Sequence, residues 1–124
     1  MPKKKIMVVD DEENLLELVK AILENEGFEV ITAPSGKDCL EKLKKVKPDL
    51  ILMDMMMPLM TGKETTKKIR ENSKTKEIKI AFLTVVRYSE AGKDVFKELN
   101  ISDYITKPFD NDDLVARVKK LVGQ

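Results

Sequence analysis

The sequence predicts an α/β protein built on a doubly wound, five-stranded parallel sheet. Short apolar runs with strand character alternate with stretches of helical periodicity along the whole chain, and no linker rich in Pro, Gly or Ser separates them. Right-handed crossovers then place helices on both faces of the sheet. Because 124 residues are enough for one substantial core, we expect a single domain over residues 1–124.

The first two βα units are predicted from apolar runs and helix ends. Ile6–Val9 is the first strand, and the helix after it ends at Gly27, which supplies a left-handed residue. Phe28–Ala33 is the second strand, and one glutamate within it is tolerable at a sheet edge. Ser35 with Asp38 resembles a capping box that opens the second helix. The apolar face of the first helix consists of Leu15, Leu16, Leu18, Val19, Ile22 and Leu23.

The middle of the chain contains the most apolar run. Pro48 prevents helix before it, and Leu50–Asp54 is therefore predicted to be the central strand. After a loop that contains Gly62, a polar third helix is expected over Lys63–Asn72. Ile78–Thr84 is the fourth strand.

The last two units are predicted from weaker signals. A fourth helix over Ser89–Leu99 is weakened by Gly92 and ends at Asn100, which tolerates the left-handed conformation. Asp103–Lys107 is the fifth strand, and Asp110 is expected to cap the final helix. The apolar face of that helix consists of Leu114, Val115, Val118, Leu121 and Val122.

Composition excludes several classes of function. The 23 Lys and Arg residues nearly balance 22 Asp and Glu, which argues against direct nucleic-acid binding. The chain has no histidine, so a Ser-His-Asp triad and a histidine phosphocarrier are excluded. Cys39 lies on an apolar stripe and is expected to be a core residue. No signal peptide or membrane span is recognisable, and we expect a cytoplasmic protein that does not bind membranes.

Charged residues follow three of the predicted strands and suggest a site. Asp10, Asp11, Asp54 and Lys107 would converge where the carboxyl ends of the strands meet. Three carboxylates repel one another unless they are partly protonated or bind a cation, and oxygen ligands suit Mg²⁺. With Lys107 opposite and Thr84 as a hydroxyl donor, the site could hold a phosphoryl group. One carboxylate could then act as the nucleophile, although the residues alone do not decide which.

Five of the seven methionines crowd around Asp54, at positions 53, 55, 56, 57 and 60. A soft metal such as Cu(I) is one interpretation of this cluster. Packing of the strand and its loop is the favoured one, because the nearby carboxylates suit hard cations.

Taken together, the motifs resemble those of a response-regulator receiver domain over the entire chain. They are Val8-Val9-Asp10-Asp11-Glu12, Pro48 to Asp54 with Met57-Pro58 and Gly62, Thr84, and Asp103 to Phe109. The resemblance implies a flavodoxin-like (βα)5 fold with strand order 2-1-3-4-5. It also implies a two-component signalling role, with a sensor histidine kinase as the phosphoryl donor.

The resemblance assigns a role to each site residue. Asp54 is the phosphoacceptor, and Asp10, Asp11, Asp54 and the backbone carbonyl of Met56 bind Mg²⁺, for which Mn²⁺ can substitute. The protein is then a self-catalysed phosphoacceptor and slow autophosphatase, and not a dedicated turnover enzyme.

Further roles implied by the resemblance concern phosphoryl binding and output. Thr84 and Lys107 bind the phosphoryl group, Thr84 and Tyr104 form the switch, and the bond from Lys107 to Pro108 is cis. The fourth helix, fifth strand and fifth helix form the output face. The partner is an unknown output or phosphotransfer protein, and the chain is expected to be a monomer or a weak phosphorylation-dependent dimer. Only two residues follow Val122, so no output domain is expected.

Two departures from the family pattern lie near the site. Val85 replaces a smaller residue and is expected to narrow access to Asp54, and Asn100-Ile101 replaces a common Gly-Ala pair. Three alternative functions share features with this sequence. An aspartyl-phosphate phosphatase usually has an acid where Met56 stands, and an FMN protein needs a phosphate loop where this chain has acids. The third alternative is a receiver that is never phosphorylated and acts as an interaction module.

Overall fold

The computed structural model describes residues 3–87 and 93–124, and in this part of the chain five parallel strands form one sheet in the order β2-β1-β3-β4-β5. The strands are β1 (Lys5–Val9), β2 (Glu29–Ala33), β3 (Leu50–Met53), β4 (Lys79–Thr84) and β5 (Asp103–Thr106). The helices are α1 (Glu13–Asn25), α2 (Gly36–Lys42), α3 (Gly62–Glu71), α4 (Lys93–Glu98) and α5 (Asn111–Leu121). The predicted fold class and strand order are confirmed.

The sheet divides the apolar core into two layers because strand side chains alternate between faces. Ile6 and Val8 of β1 pack in one layer with residues of α1 and α5. Met7 and Val9 pack in the other layer with residues of α2, α3 and α4. All four residues of β3 are buried, as predicted for the central strand. Being covered on both faces explains why this strand reads as an unbroken apolar run.

The register of the strands aligns the predicted site residues at the carboxyl edge of the sheet. Val9 of β1 pairs with Met53 of β3, so the next residues, Asp10 and Asp54, leave the sheet side by side. The Asp54 amide donates to the Val9 carbonyl at 3.0 Å. On the other side of β4, the Lys107 amide donates to the Thr84 carbonyl at 2.8 Å. Backbone pairing therefore continues one residue beyond the strands, up to the charged side chains themselves.

Most predicted helix ends are confirmed. Gly27 follows α1 with φ of 93°, and Asn100 follows α4 with φ of 54°, both in the left-handed region. Ser35 accepts a hydrogen bond from the Asp38 amide at 3.1 Å, which is one of the two bonds of a capping box. Asp110 caps α5 as predicted, by accepting from the amide two residues later. The predicted start of the fourth helix, with Ser89 and Gly92, lies outside the described residues.

The third helix differs from its prediction in bounds and in its cap. It begins at Gly62 and ends at Glu71, one residue earlier at each end than predicted. Thr61 and Glu64 form a full capping box, in which each side chain accepts from the other residue's amide at 3.0 to 3.1 Å. A Cβ at position 62 would overlap the Asp54 carbonyl oxygen. Glycine is required there because α3 starts against the backbone of the site.

Cys39 is a core residue, as predicted. Its side chain is fully buried, and this burial raises the pKa of the thiol to about 12. The thiol is therefore protonated at neutral pH and acts as a small apolar group.

Two adjacent threonines of α3 differ in how their hydroxyls are satisfied. Thr65 donates to the Thr61 carbonyl at 2.8 Å. Thr66 is fully buried, and its hydroxyl has no hydrogen-bond partner among the described residues. An unsatisfied buried hydroxyl destabilises the folded state because its hydrogen bonds to water are lost without replacement.

Thr66→Val is therefore expected to raise the free energy of unfolding by about 1 kcal/mol, since valine keeps the shape and removes the hydroxyl. Urea denaturation measures the change. Thr65→Val is the matched control and should lower stability by about 1 kcal/mol, because it removes a hydrogen bond that is made. Equal effects of the two substitutions would contradict the interpretation.

Candidate functional site

Three aspartates meet at the carboxyl edge of the sheet. Asp10, Asp11 and Asp54 each place one carboxylate oxygen so that all three atoms lie within 4.8 Å of one another. Asp10 is 1% exposed and Asp54 is 4% exposed, whereas Asp11 is open to solvent. Two of the three carboxylates are therefore largely removed from water. Their mutual repulsion is stronger in the protein interior than it would be in water.

Lys107 supplies the positive charge of the cluster. Its Nζ atom lies 2.6 Å from Asp10 Oδ2 and 3.6 Å from Asp54 Oδ2, and its side chain is 10% exposed. The Lys107–Pro108 peptide bond is cis, the isomer that the resemblance implied. With three carboxylates and one ammonium group, the cluster has an excess of two negative charges when all four groups are ionised.

Main-chain amides orient the two buried carboxylates. Asp10 Oδ1 accepts from the Glu12 amide at 2.9 Å, and Asp54 Oδ1 accepts from the Met56 amide at 3.2 Å. In both residues the other oxygen is the one nearer the Lys107 ammonium group. Each carboxylate is therefore held by the turn that follows it and faces the same cation.

Asp54 is a perturbed acid. Burial raises its pKa because the charged form loses its hydration, and the negative charge of Asp10 raises it further. The Met56 amide, the Lys107 charge and the nearby Thr84 hydroxyl act in the opposite direction. Desolvation is the largest effect, and the net shift is upward.

A chain of hydrogen bonds leads from Thr84, at the end of β4, to Tyr104 of β5. The Thr84 hydroxyl, which is fully buried, accepts from the Val86 amide at 3.3 Å. The Val86 carbonyl accepts from the Tyr104 hydroxyl, which also lies 3.3 Å from the Met55 sulfur. The Tyr104 ring packs edge-on against Phe82, with centroids 5.9 Å apart. The two predicted switch residues are thus connected through the main chain of Val86.

Asp10, Asp11, Asp54 and Lys107 are brought together at this edge, and Thr84 is linked to Tyr104 through Val86. Several of the contacts around them were not predicted. The Glu12 amide, the Val86 carbonyl and the Met55 sulfur are examples. Met56 and Val85 have side chains that are both 60% exposed, so Val85 extends into solvent beside the site.

Comparisons with known proteins identify the family. Residues 6–119 match the family model of the response regulator receiver domain, so the chain belongs to this family. The alkaline phosphatase synthesis transcriptional regulatory protein PhoP of Bacillus subtilis is 40% identical over 119 residues. This match covers 96% of the chain but 48% of PhoP, so the chain spans about half the length of that relative.

Solved structures agree with this assignment. Chemotaxis protein CheY4 of Vibrio cholerae matches with a TM-score of 0.90 at 32% identity, covering 97% of this chain and 99% of that one. Response regulator TrrA of Thermotoga maritima, solved in complex with Mg²⁺-BeF, matches with a TM-score of 0.83 at 37% identity. That match covers 95% of this chain and 98% of TrrA. Within its described residues, the present chain has no helix long and apolar enough to cross a membrane.

The raised pKa of Asp54 predicts a dependence of stability on pH. The folded protein binds this proton more tightly than the unfolded chain, so stability falls as pH rises from about 4 through the raised pKa. Asp54→Asn removes the titrating group and should be more stable than the parent at neutral pH. Urea unfolding in EDTA between about pH 4 and pH 7 measures the difference. The difference should increase with pH, and a constant or decreasing difference would contradict the assignment.

Proposed function

We propose that this chain is a phosphorylation-dependent switch that accepts a phosphoryl group on Asp54 from a sensor histidine kinase. The observation that carries the proposal is the geometry of Asp54. Its carboxylate is buried, lies within 4.8 Å of two further carboxylates and is 3.6 Å from a lysine ammonium group. Membership of the receiver family supports the same conclusion.

The same cluster suits a divalent cation. Its donors are carboxylate oxygens, which hard cations prefer, and its excess of two negative charges matches one Mg²⁺ ion. Asp10, Asp11, Asp54 and the backbone carbonyl of Met56 would hold the ion, and Mn²⁺ would substitute. Bound there, it would neutralise charge on the phosphoryl oxygens. The solved complex of TrrA with Mg²⁺-BeF supports this choice of metal.

The residues of the chain then have distinct roles in phosphoryl transfer. An Asp54 oxygen forms the new bond to phosphorus, and the donor's bond to phosphorus breaks with its electrons leaving on the donor. Lys107, which pairs with Asp10 in the present structure, would turn to the phosphoryl oxygens. The buried Thr84 hydroxyl would donate a hydrogen bond to them. These groups stabilise the charge that develops during transfer. No separate general base is needed, because the ionised Asp54 carboxylate has no proton to lose when it attacks phosphorus.

The output face in this proposal consists of α4, β5 and α5. The hydrogen bonds from Thr84 through Val86 to Tyr104 support it, because a movement of Thr84 toward the phosphoryl group would pull on the Val86 amide. The consequence would be a shift between two populated states of this face. We further propose a monomer or a weak phosphorylation-dependent dimer in the cytoplasm.

The partner would be an output or phosphotransfer protein, or a further domain of the same protein. PhoP, which this chain matches over about half of its length, is a transcriptional regulatory protein. By analogy, any DNA-binding activity would belong to such a partner and not to this chain, whose charges are nearly balanced. In this proposal the chain is a signalling switch with slow autophosphatase activity and not a turnover enzyme.

Asp54→Asn is expected to abolish incorporation of acid-labile phosphate from acetyl phosphate in Mg²⁺. The amide is a poor nucleophile, and the substitution also removes one negative charge from the proposed metal site. Labelling with radioactive acetyl phosphate measures it. Undiminished labelling of this variant would contradict the proposed phosphoacceptor.

Asp10→Asn and Asp11→Asn serve as the comparison for that experiment. Both retain Asp54, so higher Mg²⁺ concentrations should partly restore their labelling. If labelling of these variants did not respond to Mg²⁺, Asp10 and Asp11 would not be metal ligands. The role of Asp54 would still be decided by the labelling of Asp54→Asn.

The aspartyl phosphate is expected to be long-lived. By the geometry of the family, the side chains two residues after Asp54 and two after Thr84 are best placed to orient the attacking water. Here they are Met56 and Val86, and neither can act as a base. Introducing polar groups in the double variant Met56→Asn with Val86→Glu should accelerate hydrolysis, since a positioned base contributes about 10² to 10⁴-fold.

Phosphate decay after removal of the donor measures this lifetime in the parent and the double variant. Met56→Leu with Val86→Ile is the matched control and should decay as the parent does. Equal or slower decay in the polar double variant would falsify the proposal.

A further inference from the structure

Arg70 makes an unusual set of contacts far from the carboxylate cluster. It lies in the last turn of α3 and is half-buried. Its Nε donates to the Leu99 carbonyl at 2.8 Å, and its Nη2 donates to the Asn100 carbonyl at 3.2 Å. Its Nη1 donates to the Lys76 carbonyl at 2.9 Å and to the Ile78 carbonyl at 2.7 Å. One guanidinium group thus binds four main-chain carbonyls.

These carbonyls belong to two separate segments. Leu99 and Asn100 close the C-terminal end of α4, where carbonyls lack partners within the helix and the helix dipole favours a cation. Lys76 and Ile78 lie in the loop that leads into β4. The planar fork of arginine can bind both segments at once, which a lysine ammonium group cannot do with four acceptors. Arg70 therefore links three elements, α3, α4 and β4, through their backbones.

Other contacts fix the same end of α4. Leu99 and Ile101 are 5% and 4% exposed, and the Ile101 amide donates to the Phe96 carbonyl at 2.9 Å. The Ser102 amide donates to the Ile80 carbonyl of β4 at 2.8 Å, which continues the link into the sheet. The other end of α4 is the one that follows Val86 in the chain, and Val86 is bonded to the switch residues Thr84 and Tyr104.

We propose that Arg70 is a positioning residue that fixes the C-terminal end of α4 against the start of β4, so that a change at Thr84 moves the opposite end of this helix about a fixed point. The regulatory part of this inference rests on the proposed function, whereas the anchoring part does not. Within α4, Arg70 thereby confines the response to the half of the helix nearest the phosphoacceptor.

Native-state amide hydrogen exchange tests the anchoring. In Arg70→Lys, the Leu99 and Ile101 amides should exchange faster than in the parent. Urea unfolding gives the variant's loss of global stability, and the observed increase should be at least tenfold larger than the increase that this loss alone would cause. Arg117→Lys is the matched control, since Arg117 is also a half-buried arginine but binds the carboxylates of Asp103 and Asp113. It should show no such excess. If exchange in Arg70→Lys increased only by the amount expected from the loss of global stability, the proposal would be overturned.

The parent protein provides a second test that needs no variant. In low concentrations of urea, Leu99 and Ile101 should open together with Ile80 of β4, because Arg70 joins these segments. If the end of α4 opened at lower free energy than β4 in the parent, Arg70 would not be an anchor.

Beryllofluoride tests the regulatory part. In the parent, amide shifts should be large at Val86 and Tyr104 and small at Leu99 and Ile101, and in Arg70→Lys the changes at Leu99 and Ile101 should at least double. An unchanged pattern in the variant would overturn the regulatory role. If the parent itself did not respond in Mg²⁺ and beryllofluoride, the proposed function would fail, and hydrogen exchange would still decide the anchoring.

Discussion

The site depends on the register between β1 and β3. Because Val9 pairs with Met53, the two strands end at the same level. The residues that follow, Asp10 and Asp54, are therefore held next to each other. A shift of one residue would move every side chain of a strand to the opposite face and would break both core layers at the same time. The apolar packing that stabilises the sheet therefore also fixes the distance between two like charges.

The fold does not relieve this repulsion completely. Lys107 contacts Asp10 closely and Asp54 less closely, and burial together with the neighbouring charge leaves the pKa of Asp54 raised. In the proposed function, the affinity for a cation would arise from the same charge repulsion that destabilises the folded protein without the ion. This explains why the cluster sits at the edge of a thoroughly packed sheet, whose core offsets the cost.

Sequence reasoning recovered the parts of this arrangement that have a residue-type signal. Apolar runs that end in aspartate located Asp10 and Asp54, and left-handed helix ends were readable at Gly27 and Asn100. The capping box of Thr61 also has a sequence signal, a Thr followed three residues later by Glu. The prediction of the third helix did not include it. Contacts with main-chain atoms had no comparable signal. Any residue has a carbonyl, so nothing in the sequence connects Arg70 with position 100, 30 residues away.

Main-chain atoms of Val86 connect the two predicted switch residues. The link from Thr84 to Tyr104 runs through the amide and carbonyl of Val86, which any residue except proline at that position would provide. The side chain of Val86 is not part of that link. In the proposed function, substitutions at position 86 can therefore change how long the phosphoryl group persists without breaking the connection to β5. Tyr104 differs, because its hydroxyl is itself the donor. In the proposed function, removing that hydroxyl would uncouple the output face from Thr84 while leaving the chemistry at Asp54 intact.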